Sequence, residues 1–310
     1  MMKTASRLPD FKYVGNEKEK LSLHLLFQMM GKIRMCFMPR KNHWWYITLY
    51  VNEEGFTTGP VPIKDGFETF SINLKVLDDE IQVRKSTGEL KSFALEEGTN
   101  LGTFYMRLME IMDQLSIPVK INSRPYDLDI ADKFSEIKHL HHYDPDYVRT
   151  YWKAFRWTDG VFKEFSGRFY GKTCPVHLYW HSMDLAVTRF SGKKAPPMPE
   201  EARISDKDAY SHECISFGFW AGDDNVQEPA FYSYTFPSPE GLDNQPLEPK
   251  EANWVMNNGT PMAILTYSDL LEKDNPRKAL LDFLESAYQA GASLANWNIK
   301  ELKVPPLSEL

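Results

Sequence analysis

Histidine, tyrosine and arginine side chains lie close together in the stretch GKTCPVHLYWHSMDLAVTRFSGKKAPP, residues 171–197. If this stretch forms strands, one face carries His177, Tyr179 and His181, while Val176, Leu178 and Trp180 face a core. Imidazole titrates near neutral pH and also binds transition metals, so His177 suits acid–base chemistry or metal ligation. The guanidinium of Arg189 suits bidentate binding of a substrate carboxylate or phosphate.

A second polar strand lies in AYSHECISFGFW, residues 209–220. Alternation places His212, Cys214 and Ser216 on one face and Glu213 on the other. Tyr232 and Tyr234 likewise share a face of a later strand, and if these faces coincide, they form a surface of His, Tyr, Cys and Ser. The sequence therefore predicts His177, His212 and Glu213 as catalytic residues. His177 and His212 are expected to face one cavity and are also the candidate ligands of a divalent transition metal.

The segment NHWW, residues 42–45, precedes an aromatic run. His43 is expected at the mouth of a pocket, with one tryptophan in the core and the other available for stacking. The predicted substrate-binding residues are Arg189, His43, Trp44 and Tyr179.

Structural roles compete with each of these interpretations. The histidines would equally well tie loops to a sheet through hydrogen bonds, and Arg189 would pair with Asp184 or Glu213. His24, on an apolar helix face, is expected to be a buried structural residue.

Several familiar enzyme motifs do not occur. His177 and His181 have the spacing of a zinc protease, but the residue after His177 is Leu178 and the segment is a predicted strand. Gly-Lys pairs at 31–32 and 171–172 mirror each other but lack the phosphate-loop pattern. The chain contains no GxGxxG and no GxSxG, which removes the usual signals of Rossmann oxidoreductases and α/β-hydrolases.

Composition narrows the class of protein. The 310 residues are 42% hydrophobic and 14% aromatic, with a formal net charge of −7. That charge argues against a nucleic-acid partner, whereas the aromatic content is typical of proteins with ligand pockets. Three scattered cysteines favour a reducing compartment. We see neither a secretory signal nor an apolar run of membrane-spanning length, so we expect a cytoplasmic protein without a membrane partner.

Hydrophobic periodicity predicts helices and strands in two successive series. The first series is a helix over 19–31, extended segments at Ile33–Met38, Trp44–Val51, Phe67–Leu77 and Glu80–Lys85, and a helix over Leu101–Leu115 capped by Thr99 or Asn100. The second is a helix over 146–170, strands at Val176–His181, Leu185–Phe190, His212–Trp220 and Ala230–Phe236, and a helix starting at Asn275-Pro276.

The expected fold class is therefore α+β, with mainly antiparallel sheet and packed helices. It is built as two similar helix–four-strand–helix halves, at 1–117 and 146–310, which are joined by a crossover at 118–145 into one compact unit. The similarity suggests an internal duplication. The Pro- and charge-rich residues 191–208 are expected to form a mobile flap beside the pocket.

Several long motifs carry a family resemblance: LHLLFQMMGKIRM, NHWWYITLYV, the 171–197 stretch, AYSHECISFGFW and LLDFLESAY. They resemble an uncharacterised bacterial family, the DUF5996-type family, over about residues 8–297. The resemblance implies no activity. It implies histidine at the positions of His24, His43, His142, His177 and His212, together with Glu213, Asp184 and Arg189. His181 departs from the family pattern, in which glycine is usual.

These observations favour a small-molecule enzyme with a His/Arg/aromatic pocket between the halves, using acid–base or metal-assisted chemistry. One alternative is a non-catalytic protein whose aromatic residues bind a planar small ligand. A second alternative is a structural or interaction protein without a pocket. The sequence does not indicate the substrate, a cofactor or the oligomeric state.

Overall fold

The computed structural model describes residues 8–309, which form two compact units. Unit 1 comprises the described part of Met1–Lys41, Tyr46–Arg156 and Leu178–Met183. Unit 2 comprises Asn42–Trp45, Trp157–His177 and the described part of Asp184–Leu310. The main boundary therefore falls at Arg156 and Trp157, inside a helix, rather than in the predicted crossover at 118–145. The short segments 42–45 and 178–183 each belong to a different unit from their neighbours in sequence.

Unit 1 contains helices and one antiparallel sheet. Its helices are α1 (Glu17–Phe37), α2 (Leu101–Gln114) and the first part of α3 (Pro145–Gly167). Its strands are β1 (Tyr50–Val51), β2 (Gly55–Thr57), β3 (Val61–Ile63), β4 (Glu68–Lys75), β5 (Glu80–Lys85) and β6 (Leu90–Ala94). The strand order is β1-β2-β4-β5-β6, and β3 also pairs with β4.

Unit 2 contains the rest of α3 and a second antiparallel sheet. Its other helices are α4 (Ile204–Ala209), α5 (Tyr267–Leu271) and α6 (Pro276–Leu294). The strands of its sheet are β7 (His177–Tyr179), β8 (Asp184–Lys194), β9 (His212–Trp220), β10 (Ala230–Phe236), β11 (Asn253–Asn257) and β12 (Thr260–Thr266). In β7, His177 belongs to unit 2 and the next two residues belong to unit 1. The strand order is β11-β12-β10-β9-β8-β7.

The two sheets confirm the predicted α+β class and its antiparallel character. Each has six strands where about four were predicted, because the short strands lack a clear alternation. The strand orders also differ: β12 lies between β10 and β11, whereas the first sheet contains no such inserted strand among its described residues. The halves therefore share an outline, but a duplication that preserves strand order is not supported.

Local sequence signals explain the best-predicted elements. In β4 the residues Phe70, Ile72 and Leu74 are buried and alternate with half-buried ones, as a strand with one core-facing side requires. Helix α2 is capped by Asn100, whose side chain accepts a hydrogen bond from the Thr103 amide. Helix α6 begins with Pro276 after Asn275, which caps the Lys278 amide in the same way.

Three local predictions were wrong in part. The segment Ile33–Met38, predicted as extended, continues helix α1 up to Phe37. Of the segment Trp44–Val51, only Tyr50–Val51 is strand, because residues 42–45 form a tight turn that is bonded elsewhere in unit 2. The predicted loop 191–208 is shortened by β8, which extends to Lys194, and by α4, which starts at Ile204.

Helix α1 holds the segment 120–126 through a row of side chains spaced four residues apart. We call His24, Gln28, Lys32 and Cys36 the α1 row. The Gln28 amide donates to the Tyr126 carbonyl at 2.9 Å and accepts from the Tyr126 amide at 2.6 Å. The Lys32 ammonium donates to the carbonyls of Asn122, at 3.1 Å, and Arg124, and the Cys36 thiol donates to the Lys120 carbonyl at 3.3 Å. Alternate peptides of this segment are thus held by one face of α1.

No helix in the described part of the chain combines the length and the apolar character needed to span a bilayer. Cys36, Cys174 and Cys214 are free thiols.

Candidate functional site

The turn at residues 42–45 presents His43 and two tryptophans to unit 2. His43 and Trp44 have φ angles of 58° and 60°, a left-handed conformation that is unusual for residues with side chains. Two hydrogen bonds to carbonyls of α4 hold the turn. His43 Nδ1 donates to the Ala209 carbonyl at 3.0 Å, and Trp44 Nε1 donates to the Ser205 carbonyl at 2.9 Å. Such strain persists only where surrounding contacts enforce it, and it clusters at functional sites.

Lys172 lies beside this turn, in the segment before β7. Its backbone carbonyl accepts a hydrogen bond from the Phe190 amide of β8 at 3.0 Å, which fixes where the side chain starts. Its ammonium Nζ lies 2.7 Å from Nε2 of His43. The same nitrogen stands 4.7 Å from the ring centroid of Phe190 and 5.5 Å from that of Trp45. We call His43, Trp45, Lys172, Phe190 and His212 the lysine cluster.

The hydrogen bonds of His43 fix the proton in its contact with Lys172. A carbonyl only accepts, so the bond to Ala209 places a hydrogen on Nδ1. The nitrogen Nε2 of neutral His43 then carries a lone pair and accepts from Lys172. If Nε2 were protonated instead, Lys172 would have to be a neutral amine. The two side chains therefore share a single proton across 2.7 Å.

His212, the first residue of β9, completes the cluster. Its ring centroid lies 5.5 Å from that of His43. Its Nδ1 is 3.1 Å from the Ser211 hydroxyl, which itself donates to the Asp208 carbonyl at 2.9 Å. Because that hydroxyl has used its hydrogen, it accepts from Nδ1–H of His212. Nε2 of neutral His212 is thereby the nitrogen with the lone pair.

Electrostatics favours the uncharged form of all three basic groups. Burial is the largest cause that lowers the pKa of His43, and the positive charge of Lys172 adds to it. Burial likewise lowers the pKa of Lys172. The pKa of the half-buried His212 is lowered by burial first and then by Lys172 and Lys194. A cluster of this kind holds groups that exchange protons closer to neutral pH than a solvated lysine does.

The sheet face that adjoins the cluster carries tyrosines and small polar residues. Tyr234 pairs with Ser216 and Tyr232 with Gly218, so the faces considered in the sequence do coincide. Gly218 has a packing reason: a Cβ there would lie 2.3 Å from the Tyr232 ring, which occupies that space. The Tyr232 hydroxyl thereby reaches across β9 and donates to Asp184 on β8 at 2.5 Å.

Two hydroxyls extend this polar face towards α4. The rings of Tyr232 and Tyr234 are stacked, with centroids 6.1 Å apart and planes 11° apart. The hydroxyls of Tyr234 and Tyr210 lie 3.3 Å apart. Burial is the largest cause that raises the pKa of each of these three phenols, so they act as hydrogen-bonding groups rather than phenolates.

Arg189 occupies a different environment from the one predicted. Its side chain is 2% exposed. Its guanidinium stacks on Phe165 at 3.6 Å from the ring centroid, and its Nη2 donates to the Phe165 carbonyl at 2.6 Å. Its acidic neighbour is Glu285 at 3.8 Å, not Asp184 or Glu213. These contacts are those of an arginine that fastens helix α3 to the sheet, so a clamp for an incoming anion does not fit.

The remaining predicted residues lie in separate surroundings. His177 is 1% exposed between the buried Val176 and Leu178, so the expected alternation between core and polar face does not hold there. Glu213 accepts a hydrogen bond from the Ser191 hydroxyl at 2.8 Å. Tyr179 belongs to unit 1, where its ring centroid lies 5.4 Å from that of His181.

The predicted metal site is not supported. Within residues 8–309, no group of three or more His, Cys, Asp and Glu side chains is placed to hold a metal ion. A shallow surface cleft also lies along α2 in unit 1, but its lining contains neither histidine nor cysteine. The basic groups gathered in the lysine cluster therefore form the better candidate site.

The sequence singled out His43 and His212 of this cluster but not the residues around them. Lys172 was noted only as part of a Gly-Lys pair without a phosphate loop. Trp45 and Phe190 have the signature of ordinary core residues. A lysine four residues before the predicted strand Val176–His181, in the same stretch as His177 and Arg189, was the available signal.

The fold and the cluster define an α+β protein with a basic, aromatic-lined site in its second unit. A family model described as "Family of unknown function (DUF5996)" matches residues 8–304, and the chain belongs to that family. No curated protein and no solved structure matches the chain.

Proposed function

We propose that this protein is an enzyme that acts on a small molecule by acid–base chemistry at the lysine cluster. The observation that carries the proposal is the 2.7 Å contact between Lys172 Nζ and His43 Nε2, with the other His43 nitrogen bound to a carbonyl. A lysine whose partner is an imidazole lone pair can change its protonation state. A lysine paired with a carboxylate is held in its charged form.

His212 is the general base in this proposal. It is half-buried and begins a strand, and the Ser211 hydroxyl turns its Nδ1 away from the reacting side. Its Nε2 lone pair then takes a proton from the substrate, while the Lys172–His43 pair supplies one. Trp45 and Phe190 shield the pair from water, which strengthens its electrostatic effect on a bound substrate.

The partner in this proposal is a small molecule. The net charge of −7 argues against a nucleic-acid partner, and the lack of an apolar run of membrane-spanning length argues against a membrane partner. A cytoplasmic location is part of the proposal and is supported by the three free thiols. No step passes through a metal ion, because a two-histidine donor set is smaller than the three protein ligands of common catalytic zinc sites.

A second candidate function is non-catalytic binding of a planar small ligand. The stacked rings of Tyr232 and Tyr234, with their hydroxyls beside Asp184 and Tyr210, favour it. Aromatic faces and a few oriented hydroxyls are typical of such sites.

The test is incubation of the purified protein with a cellular metabolite extract, followed by untargeted mass spectrometry. The wild type is expected to deplete at least one compound and form a product, and His212→Gln is expected to slow this by about 100-fold, the usual contribution of a general base. Glu213→Gln, on the opposite face of the same strand, is the matched control and keeps its rate. Retention of a compound without conversion would favour the binding protein, and equal rates in the wild type and His212→Gln would overturn the assignment of the base.

A further inference from the structure

We propose that Lys172 is a nucleophile that forms an imine with a carbonyl group of the substrate. This inference rests on the proposed function and deepens it, because it names aldehydes and ketones as the substrate class. It also gives the shared proton of the lysine cluster a purpose, since an amine attacks only after its ammonium proton has left.

The surroundings of Lys172 differ from those of an ordinary surface lysine. No carboxylate of the described residues forms a salt bridge with its ammonium, although many other lysines of the chain have such a partner. Its polar neighbour is Nε2 of His43, and the rings of Phe190 and Trp45 face it from other sides. Phe190 is 2% exposed, so part of this enclosure belongs to the core and keeps its shape.

The groups that face Lys172 come from several elements. His43 comes from the 42–45 turn, and His212 and Cys214 come from β9. Burial raises the pKa of the Cys214 thiol to about 12, so this neighbour is neutral near pH 7. The charge of Asp208, in α4, acts on His43, and the charge of Lys194 acts on His212. Neither is among the charges that shift the pKa of Lys172. Burial is the largest cause that lowers the pKa of Lys172, and it favours release of the ammonium proton.

The covalent step balances with groups that are present. The ammonium of Lys172 passes one proton to Nε2 of His43, and the resulting amine attacks the carbonyl carbon. The carbonyl oxygen receives a proton from His43 and becomes the hydroxyl of a carbinolamine. Neutral His212 then takes the extra proton of the adduct's nitrogen and delivers it to that hydroxyl, which leaves as water as the C=N bond forms. The net change is one C=O and one amine converted to one C=N and one water, without an oxidant or reductant.

Cysteine is a weaker candidate for the nucleophile at this place. Cys214 is 3% exposed and its pKa is raised to about 12 by burial, so the thiolate is scarce. Lys172 is half-buried, so a substrate can reach it, and burial lowers the pKa of its ammonium.

The experiment uses acetylacetone, a 1,3-diketone that condenses with a neutral lysine amine. The product is a conjugated enaminone that absorbs in the near ultraviolet, and the reaction releases one water. The full-length protein is labelled at pH 7 with limiting probe, and the labelled lysines are located by peptide mass spectrometry. We expect labelling at Lys172 to be at least about tenfold faster than at the exposed Lys194, since burial lowers the pKa of Lys172 and leaves more of its amine neutral.

Two variants make the outcome decisive. Lys172→Arg is expected to lose the fast label and keep the slow ones, with its fold checked by circular dichroism. His43→Gln is expected to keep Lys172 but to slow its labelling by at least about tenfold, because the amide cannot take the ammonium proton, and to move the pH profile of labelling, because the amine no longer exchanges its proton with an imidazole. A merely structural role of His43 would leave the pH profile in place.

The results separate this inference from the proposed function. Labelling that is equal at Lys172 and Lys194, or a Lys172 profile unchanged in His43→Gln, overturns the imine and leaves acid–base turnover of metabolites standing. Selective labelling of Lys172 supports the inference, and it does so even if the metabolite experiment assigns the base to a residue other than His212.

Discussion

Two lysines that follow a glycine, Lys32 and Lys172, occupy opposite kinds of environment. Lys32 in the α1 row donates to two peptide carbonyls, which never titrate, and packs 5.5 Å from the Phe134 ring centroid. Lys172 in the lysine cluster shares its proton with an imidazole. Burial lowers the pKa of both. The acceptor is therefore what distinguishes Lys32 from Lys172, the lysine that we propose to be reactive, since the direction of the pKa shift is the same.

The comparison extends to the histidines of the two regions. His24, also in the α1 row, is 8% exposed, and its Nε2 lies 3.1 Å from the His181 carbonyl and 3.2 Å from the Gln28 amide nitrogen. Burial is the main cause that lowers its pKa to about 3. His212 is half-buried at the start of a strand. One region uses basic side chains to fasten backbone, and the other leaves them within reach of a ligand.

The largest effect should appear in the acid stability of the protein, through the buried side chain of His24. Its folded pKa of about 3 lies below the usual 6.5, so the unfolded chain binds the proton first as the pH falls. Stability is therefore full above about pH 6.5 and is lost between that pH and about 3, by an amount on the order of 5 kcal/mol. Urea unfolding at a series of pH values should show this slope reduced in His24→Gln. The matched variant His212→Gln should keep most of it, and an unchanged slope in His24→Gln would break the contrast.

The next largest effect should come from the glycine before each lysine. A Cβ on Gly31 would lie 2.1 Å from the indole of Trp180, a rigid ring that is 3% exposed. Gly31→Ala should lower the free energy of unfolding by about 3 kcal/mol. At Gly171 the overlap is smaller, because the nearest atoms are the mobile end of the Leu302 side chain at 2.6 Å and the Phe169 ring at 2.8 Å. Gly171→Ala should cost about 1 kcal/mol, and equal losses in urea unfolding would contradict the difference in packing.

The smallest effect concerns the lysines themselves. Lys32→Met removes the donor of two partly buried carbonyls and should cost about 2 kcal/mol. Lys172→Met removes one contact to an imidazole that can turn to water, and should change stability by less than about 1 kcal/mol. Thermal unfolding at pH 7 measures both. A Lys172→Met loss as large as that of Lys32→Met would make Lys172 a structural residue as well.

Local signals in the sequence were enough for several elements, and they singled out two of the five residues of the lysine cluster. The caps at Asn100 and Asn275 and the alternation in β4 depend on neighbours within a few residues. His43 and His212 stood out by residue type. The Lys172–His43 contact joins residues 129 positions apart, and nothing in either segment encodes that distance. The left-handed turn that aims His43 also depends on α4, a helix of six residues that has no periodic pattern.

For Arg189, the sequence suggested a binding role that its surroundings in the structure do not support. Residue type and position suggested an anion clamp, because a strand arginine near a flexible loop is often exposed. Its three ring partners, Phe165, Phe169 and Tyr288, come from two helices and the segment after the first of them, at sequence separations that no local pattern reveals. The sequence shows the charge of Arg189, but it does not show the aromatic rings that stack against its guanidinium.

The placement of Asn42–Trp45 within unit 2 has a consequence for synthesis on the ribosome. His43 and Trp45 emerge more than a hundred residues before Lys172, Phe190 and His212. Until Lys172 and then α4 have been translated, the turn lacks the lysine and the two carbonyls that hold its left-handed backbone. The cluster is therefore assembled late in the life of the nascent chain, so a truncated product that ends before Lys172 carries His43 and Trp45 without the chemistry they would serve.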